Sequence, residues 1–214
     1  MRRSAACLLL GALCILAASR PASAQDEPSR IGPIAIDVRG SFPGLSDSPT
    51  LAASRNLVGD ELPGRGLGGD VGAHLYLFKA GAVTFGIGAQ LTLIRGTSQA
   101  TEEGLRAVTS RLVSFTPQVS LNFGSGDGWS YLSAGMGQSE WSIVVQGEAP
   151  TSADLERLRT FNYGGGARWF MNEHVAFTFD VRFHVIEPGA IHVLGLPGSP
   201  RTRLLVIGAG LSFN

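Results

Sequence analysis

Hydrophobic and polar positions alternate along most of this chain. Val83, Phe85, Ile87, Ala89, Leu91 and Leu93 share one parity, and Thr84, Gly86, Gly88, Gln90 and Thr92 share the other. Successive side chains of a strand point to opposite sides, so period two predicts a strand with one apolar face and one small, polar face. The pattern recurs. Val175, Phe177, Phe179, Val181 and Phe183 oppose Ala176, Thr178, Asp180, Arg182 and His184, and Leu205, Ile207, Ala209, Leu211 and Phe213 oppose Val206, Gly208, Gly210 and Ser212. Eight strands are predicted this way, over 31–43, 67–78, 82–95, 111–123, 129–140, 160–170, 175–186 and 202–213.

Two features of these runs carry the architecture. Most are longer than the roughly 5–6 residues usual in soluble proteins and match the roughly 9–11 that a tilted strand needs to cross a bilayer. Their connections alternate: short at 79–81, 124–128 and 171–174, long at 44–66, 96–110, 141–159 and 187–201. Short turns at one end and long loops at the other predict an all-β fold, an eight-stranded antiparallel up-and-down transmembrane β-barrel. Parity refines the turns, because hairpin partners must face the same side. Leu77 and Val83 then require a three-residue turn, Lys79-Ala80-Gly81, with Gly81 left-handed. Trp169 with Val175 or Phe177 requires an odd loop after Phe170. In the hairpin around 124–128, Leu132, Ala134 and Met136 are expected outward, with Tyr131 contesting that face.

Eight strands enclose a lumen that side chains fill. Gly86 and Gly88 leave room for His74, and Gly164 and Gly166 do so beside Asp180 and Arg182. Phe85, Phe123, Trp129, Trp169, Phe177 and Phe213 near the turns, and Phe115, Phe161, Tyr163 and Phe183 near the loops, are expected to form two interfacial girdles. By parity Asp37, Arg39, Asp70, His74, Arg168, Asp180, Arg182 and His184 point inward. Unpaired buried charges are costly, so these are expected to form a lumen ion-pair network that fills the barrel and fixes its register. The sharper alternative is a gate whose pairs rearrange to pass small ions.

The N-terminus changes the picture of where the chain goes. Arg2 and Arg3, a short apolar stretch over 5–18 and Ala22-Ser23-Ala24 read as a cleaved signal peptide over 1–24, leaving 25–214 as the barrel domain. Both cysteines, Cys7 and Cys14, fall inside the leader, so no disulfide or thiol chemistry is expected of the mature chain. Removing Arg2, Arg3 and Arg20 lowers the basic count from 17 to 14 against 17 acidic residues, a net of −3. With no basic stripe, nucleic acid is not an expected partner. No later segment has 18 consecutive apolar residues, so no transmembrane helix is expected.

Three stretches resemble the small outer-membrane β-barrel proteins of the OmpA-like and OmpX-like group. Gly164-Gly165-Gly166-Ala167-Arg168-Trp169-Phe170 looks like their sixth strand. Val175-Ala176-Phe177-Thr178-Phe179-Asp180-Val181-Arg182 looks like the seventh, and Gly208-Ala209-Gly210-Leu211-Ser212-Phe213 is similar to the C-terminal strand read by the barrel-assembly machinery. Two departures stand out: the terminal aromatic is penultimate, before Asn214, and Val206 sits where a polar residue is common. The resemblance implies a bacterial outer-membrane location, outer-membrane lipids and lipopolysaccharide as surroundings, assembly through the C-terminal strand, and a monomer.

Other classes compete. Some small outer-membrane barrels are lipid A deacylases, which would need a histidine-activated serine open to lipid. None is offered: His74 and His184 face inward, His174 lies at a turn and His192 in a loop. No enzymatic activity and no cofactor are therefore expected. His184 and His192 lack a clustered ligand set for a metal. A soluble lipocalin-like barrel would place apolar residues inside around a ligand, the reverse of this pattern. The long loops are where an extracellular ligand would bind. Loop 96–110 carries Glu102, Glu103 and Arg106. Residues 153–158 are expected as a helical turn, and Trp141, Ile143, Val144 and Val145 as an extension of the fifth strand that presents an edge to a partner. The expected role is structural or recognition-based, with a narrow, low-conductance channel as the alternative.

Overall fold

The structure, a computed structural model, describes residues 33–99, 104–125, 127–190 and 195–214. The predicted leader, Glu102, Glu103 and His192 lie outside the described residues. Eight strands form a closed antiparallel barrel in sequence order. They are β1 (Ile34–Gly44), β2 (Leu67–Ala80), β3 (Val83–Thr97), β4 (Val108–Ser125), β5 (Gly128–Val145), β6 (Arg157–Phe170), β7 (Val175–Ile186) and β8 (Thr202–Phe213). β8 closes on β1 from Phe213 against Ile36 to Leu205 against Gly44. Closure is what a hydrocarbon surrounding demands, because lipid offers no partner to an unpaired backbone edge. Among the described residues no helix is long and apolar enough to cross a membrane.

The alternation translates into an inside-out barrel. Ile36, Val38, Val71, Leu93, Val119 and Phe179 stand exposed on the outer wall, while Asp37, Arg39, Asp70, Thr92, Ser120 and Asp180 are buried inside. That distribution overturns the soluble ligand-holding barrel, which needs the opposite order.

Local differences from the sequence expectation have physical causes. Ala80 pairs with Val83, so the first hairpin has a two-residue turn, Gly81-Ala82, with Gly81 at φ +61°. The register is recovered by a bulge between Tyr76 and Phe78, which leaves both Leu77 and Phe78 on the outer wall. After Phe170, Trp169 pairs with Phe177, as an odd loop requires. Trp129 is buried in the lumen, tilted against Tyr76 with ring centroids 6.0 Å apart, and so leaves the outer girdle. Tyr131 is likewise inward, and Leu132 and Met136 take the outer face. β4 and β5 run past the predicted ends, pairing up to Val108 against Val145. In place of a helical turn over 153–158 there is a short 3-10 turn, Ser152–Asp154, and β6 already begins at Arg157.

The lumen is polar in only part of its length. Toward the loops, Ile94, Val108, Leu112, Trp141, Leu158 and Leu204 turn inward and form an apolar layer. The loop over 45–66, polar in its sequence pattern, folds onto this layer through a short helix, α1 (Pro49–Ala53), and a 3-10 turn, Gly59–Glu61. Leu45, Leu51, Leu57 and Leu62 bury there. The interior is polar toward the turns and carries an apolar cap at the mouth, where the sequence suggests polar residues throughout.

Candidate functional site

The turn-side lumen brings the inward charges together. β1 places Asp37 and Arg39 two residues apart, hence on one face. Asp37 accepts from Arg168 Nη2 at 2.7 Å and Nε at 3.1 Å, and from Arg39 Nη1 at 3.2 Å. His74 Nε2 lies 3.1 Å from the same carboxylate. Arg39 Nε also donates to Asp70 at 2.7 Å, and Ser41 Oγ donates to Asp70 at 2.6 Å. On β7, Arg182 donates to Asp180 at 3.0 Å through both Nε and Nη2. It also reaches Gln118 at 2.9 Å, Asn162 at 3.0 Å and Ser133 at 2.8 Å.

One residue joins the two halves. Tyr131 Oη donates to Asp180 at 2.7 Å and accepts from Arg39 Nη1 at 3.2 Å. Its ring lies 4.4 Å beneath the Arg168 guanidinium, and Gly166 makes room for it: a Cβ there would stand 2.7 Å from Tyr131 Oη. Three buried guanidinium groups thus face three buried carboxylates, the arrangement in which buried charge is tolerated.

His184 is the exception among the eight predicted residues. It is fully buried below the apolar layer, and neither ring nitrogen has a hydrogen-bond partner among the described residues. Sequence parity pointed it inward, where it is buried, but could not show that it stands apart from the ion pairs. Tyr131, Gln118, Asn162, Ser133 and Ser41 are members that charge alone did not mark; their shared inward parity was the available signal.

The mouth is held by a second polar set. The Arg55 side chain, only 3% exposed, donates to Asp154 Oδ1 at 3.0 Å and to the carbonyls of Ala153 at 3.0 Å and Trp141 at 3.4 Å. Asp154 in turn accepts from Ile143 N at 2.9 Å. The upper edge of β5, expected to be open to a partner, is thus partly covered by the chain's own loop. Across the mouth, Arg106 donates to both oxygens of buried Glu61, at 2.8 and 3.0 Å. Those bonds, against the desolvation of burial and helped by the Val58 and Arg106 backbone N–H groups, hold the Glu61 carboxyl down at about 2. The same bonds push Arg106 up. Among the described residues no group of three or more His, Cys, Asp or Glu is arranged to hold a metal.

An outward apolar wall, a filled lumen, short turns at one end and long loops at the other define an up-and-down transmembrane barrel. The chain belongs to the outer membrane protein beta-barrel domain family, whose model matches residues 6–213, and it is a protein of the bacterial outer membrane. Among solved structures it is similar to Neisserial surface protein A, with TM-score 0.55 and 12% identity over 85% of this chain and 97% of that one. It is also similar to OprG of Pseudomonas aeruginosa, with TM-score 0.46 and 11% identity over 84% and 94%. A third is Ail, the attachment invasion locus protein of Yersinia pestis, with TM-score 0.45 and 12% identity over 84% and 96%. No curated protein sequence matches the chain.

Proposed function

We propose that this protein is a closed, non-conducting and non-enzymatic monomeric barrel that serves the envelope structurally and meets extracellular partners through its loops. The observation that carries this is the double closure of the lumen. Below lies the ion-pair network around Asp37, Arg39 and Asp180; above lies the apolar layer, onto which Leu51, Leu57 and Leu62 are clamped by Arg55–Asp154 and Glu61–Arg106. A loop region fixed by such bonds offers a partner a preformed surface, which lowers the ordering cost of binding. The monomer is supported by the pairing of every strand edge within one chain. Assembly through β8 is supported by its outward Leu205, Ile207, Leu211 and Phe213. Against catalysis stands the burial of His184 with no serine or carboxylate partner among the described residues.

Planar-bilayer recording of the refolded mature protein tests the closed state. Silence is expected, and a steady ionic current through the unaltered protein would replace this reading with the channel. Release of acyl chains from vesicles of outer-membrane lipid, lost on His184→Ala, would replace it with an enzyme.

A further inference from the structure

The outer wall carries a charge arrangement that the closed barrel does not use. Leu67 pairs with Arg95, Arg95 with Arg111, and Arg111 with Ser142, so one row of outward positions crosses β2 to β5. Arg95 and Arg111 stand directly opposite each other and are exposed. Cross-strand neighbours have Cβ atoms about 4.5–5.5 Å apart, and like charges so placed destabilise the pair. Among the described residues neither guanidinium has an ion-pair or hydrogen-bond partner. Two other arginines of this surface are engaged: Arg201 bonds Glu187 at 2.7 Å, and Arg203 lies 4.2 Å over the Phe183 ring.

The position of the pair is specific. Two residues toward the membrane centre the row holds Leu93 and Val113, and beyond that Leu91 and Phe115; toward the loops it holds Thr97 and Thr109. The guanidinium groups therefore stand where the apolar band ends on the loop side of the barrel, at headgroup depth in the outer leaflet. Two adjoining grooves of about 660 and 820 Å³ share Leu67 and Arg95. The first holds Arg111 with Leu93, Val144 and Glu148, and the second adds Arg65, whose side chain has no partner among the described residues, with Phe42 and Pro43. Arginine presents a planar fork that matches a phosphate, and an apolar groove beside it suits an acyl chain.

We propose that Arg95 and Arg111, with Arg65, form a phosphate clamp that docks a phosphorylated, acylated glycolipid of the outer leaflet on the β2–β4 wall. The phosphate sits between the two opposed guanidinium groups and relieves their repulsion, and the acyl chains lie along Leu93, Val113 and Phe115. The clamp is independent of whether the lumen conducts.

The test uses the mature protein folded in detergent micelles and native mass spectrometry with three probes: a diphosphorylated acyl-diglucosamine, the same glycolipid without phosphates, and phosphatidylglycerol. The diphosphorylated probe is expected to bind the unaltered protein at least tenfold more tightly than either of the others. R95Q/R111Q is expected to lose at least tenfold for that probe, while R201Q keeps full affinity. In lipid-free micelles R111Q is expected to melt roughly 1–3 °C higher than the parent, because one of two opposed like charges is gone. Undiminished binding by R95Q/R111Q, equal affinity for the dephosphorylated glycolipid or phosphatidylglycerol, or a lowered melting temperature for R111Q would overturn the proposal.

Discussion

Tyr131 and Asp180 are joined across the lumen by a 2.7 Å hydrogen bond from the phenol to the carboxylate, and the same phenol oxygen takes a bond from Arg39. This makes Tyr131 the bridge between the β1 and β7 charge groups. Tyr131→Phe would keep the ring beneath Arg168 and remove only the bridge. Hydrogen bonds to charged groups contribute about 1.5–3 kcal/mol, so a loss of that size is expected in urea-driven unfolding of the refolded barrel. A Tyr131→Phe protein with the parent's urea midpoint would show that the bridge carries no stability.

Asp37 takes both Arg168 and Arg39, with His74 beside it. Asp37→Ala leaves two buried guanidinium groups short of a counter-charge. Breaking a buried pair from one side costs about 3–5 kcal/mol, more than the Tyr131→Phe change. The expected sign in gel electrophoresis is loss of the compact unboiled band at a lower temperature than the parent, with Tyr131→Phe in between. The reverse order would place the weight of the network on β7 instead of β1.

The strands were legible because a lipid-facing wall and a filled lumen impose opposite chemistry on alternate residues, and the inward ion pairs followed from the same parity. Legibility failed where that opposition weakens. In the eighth strand, Leu204-Leu205-Val206-Ile207 was read in its right range and facing, but the apolar cap its inward Leu204 and Val206 pack against, the loop over 45–66, was not foreseen. Trp129 fits either wall by composition, and only its packing on Tyr76 decides. The bulge at Leu77 leaves no mark in a run that is apolar through Phe78. Arg55 and Asp154 are 99 residues apart and lie in loops without a period, so nothing local announces their pairing.

The Glu61–Arg106 pair makes the cap sensitive to acid. Glu61 sits at about 2 in the folded protein against an ordinary value of 4.5. A depressed carboxyl contributes stability in full above its unfolded value and loses it as pH falls through the folded one. The cap is therefore expected to hold at pH 5 and to loosen between about pH 4.5 and 2. Pepsin cleavage within 45–66 should be slow at pH 4 and fast near pH 2, while the barrel itself stays intact. Glu61→Gln should already be cut at pH 4. Equal cleavage of both proteins at pH 4 would remove Glu61 as the holder of the cap.

The two closures predict a graded response of conductance. Arg182 fills space in the polar part through Asp180, Gln118, Asn162 and Ser133, but the apolar layer at the mouth lies between that part and the outside. Arg182→Ala alone is expected to stay silent in planar bilayers. Arg55→Ala releases the loop from Asp154 and the Ala153 and Trp141 carbonyls, so trypsin should gain access to Arg65, yet this change also leaves the ion pairs in place and should conduct nothing. Only the combination, with the lower network opened and the cap freed, is expected to pass ions. An eight-stranded barrel has no open pore once its side chains are in place, so any current should be small. Current in the Arg182→Ala protein by itself would show that the apolar layer does not seal, and that the charge network alone is the barrier.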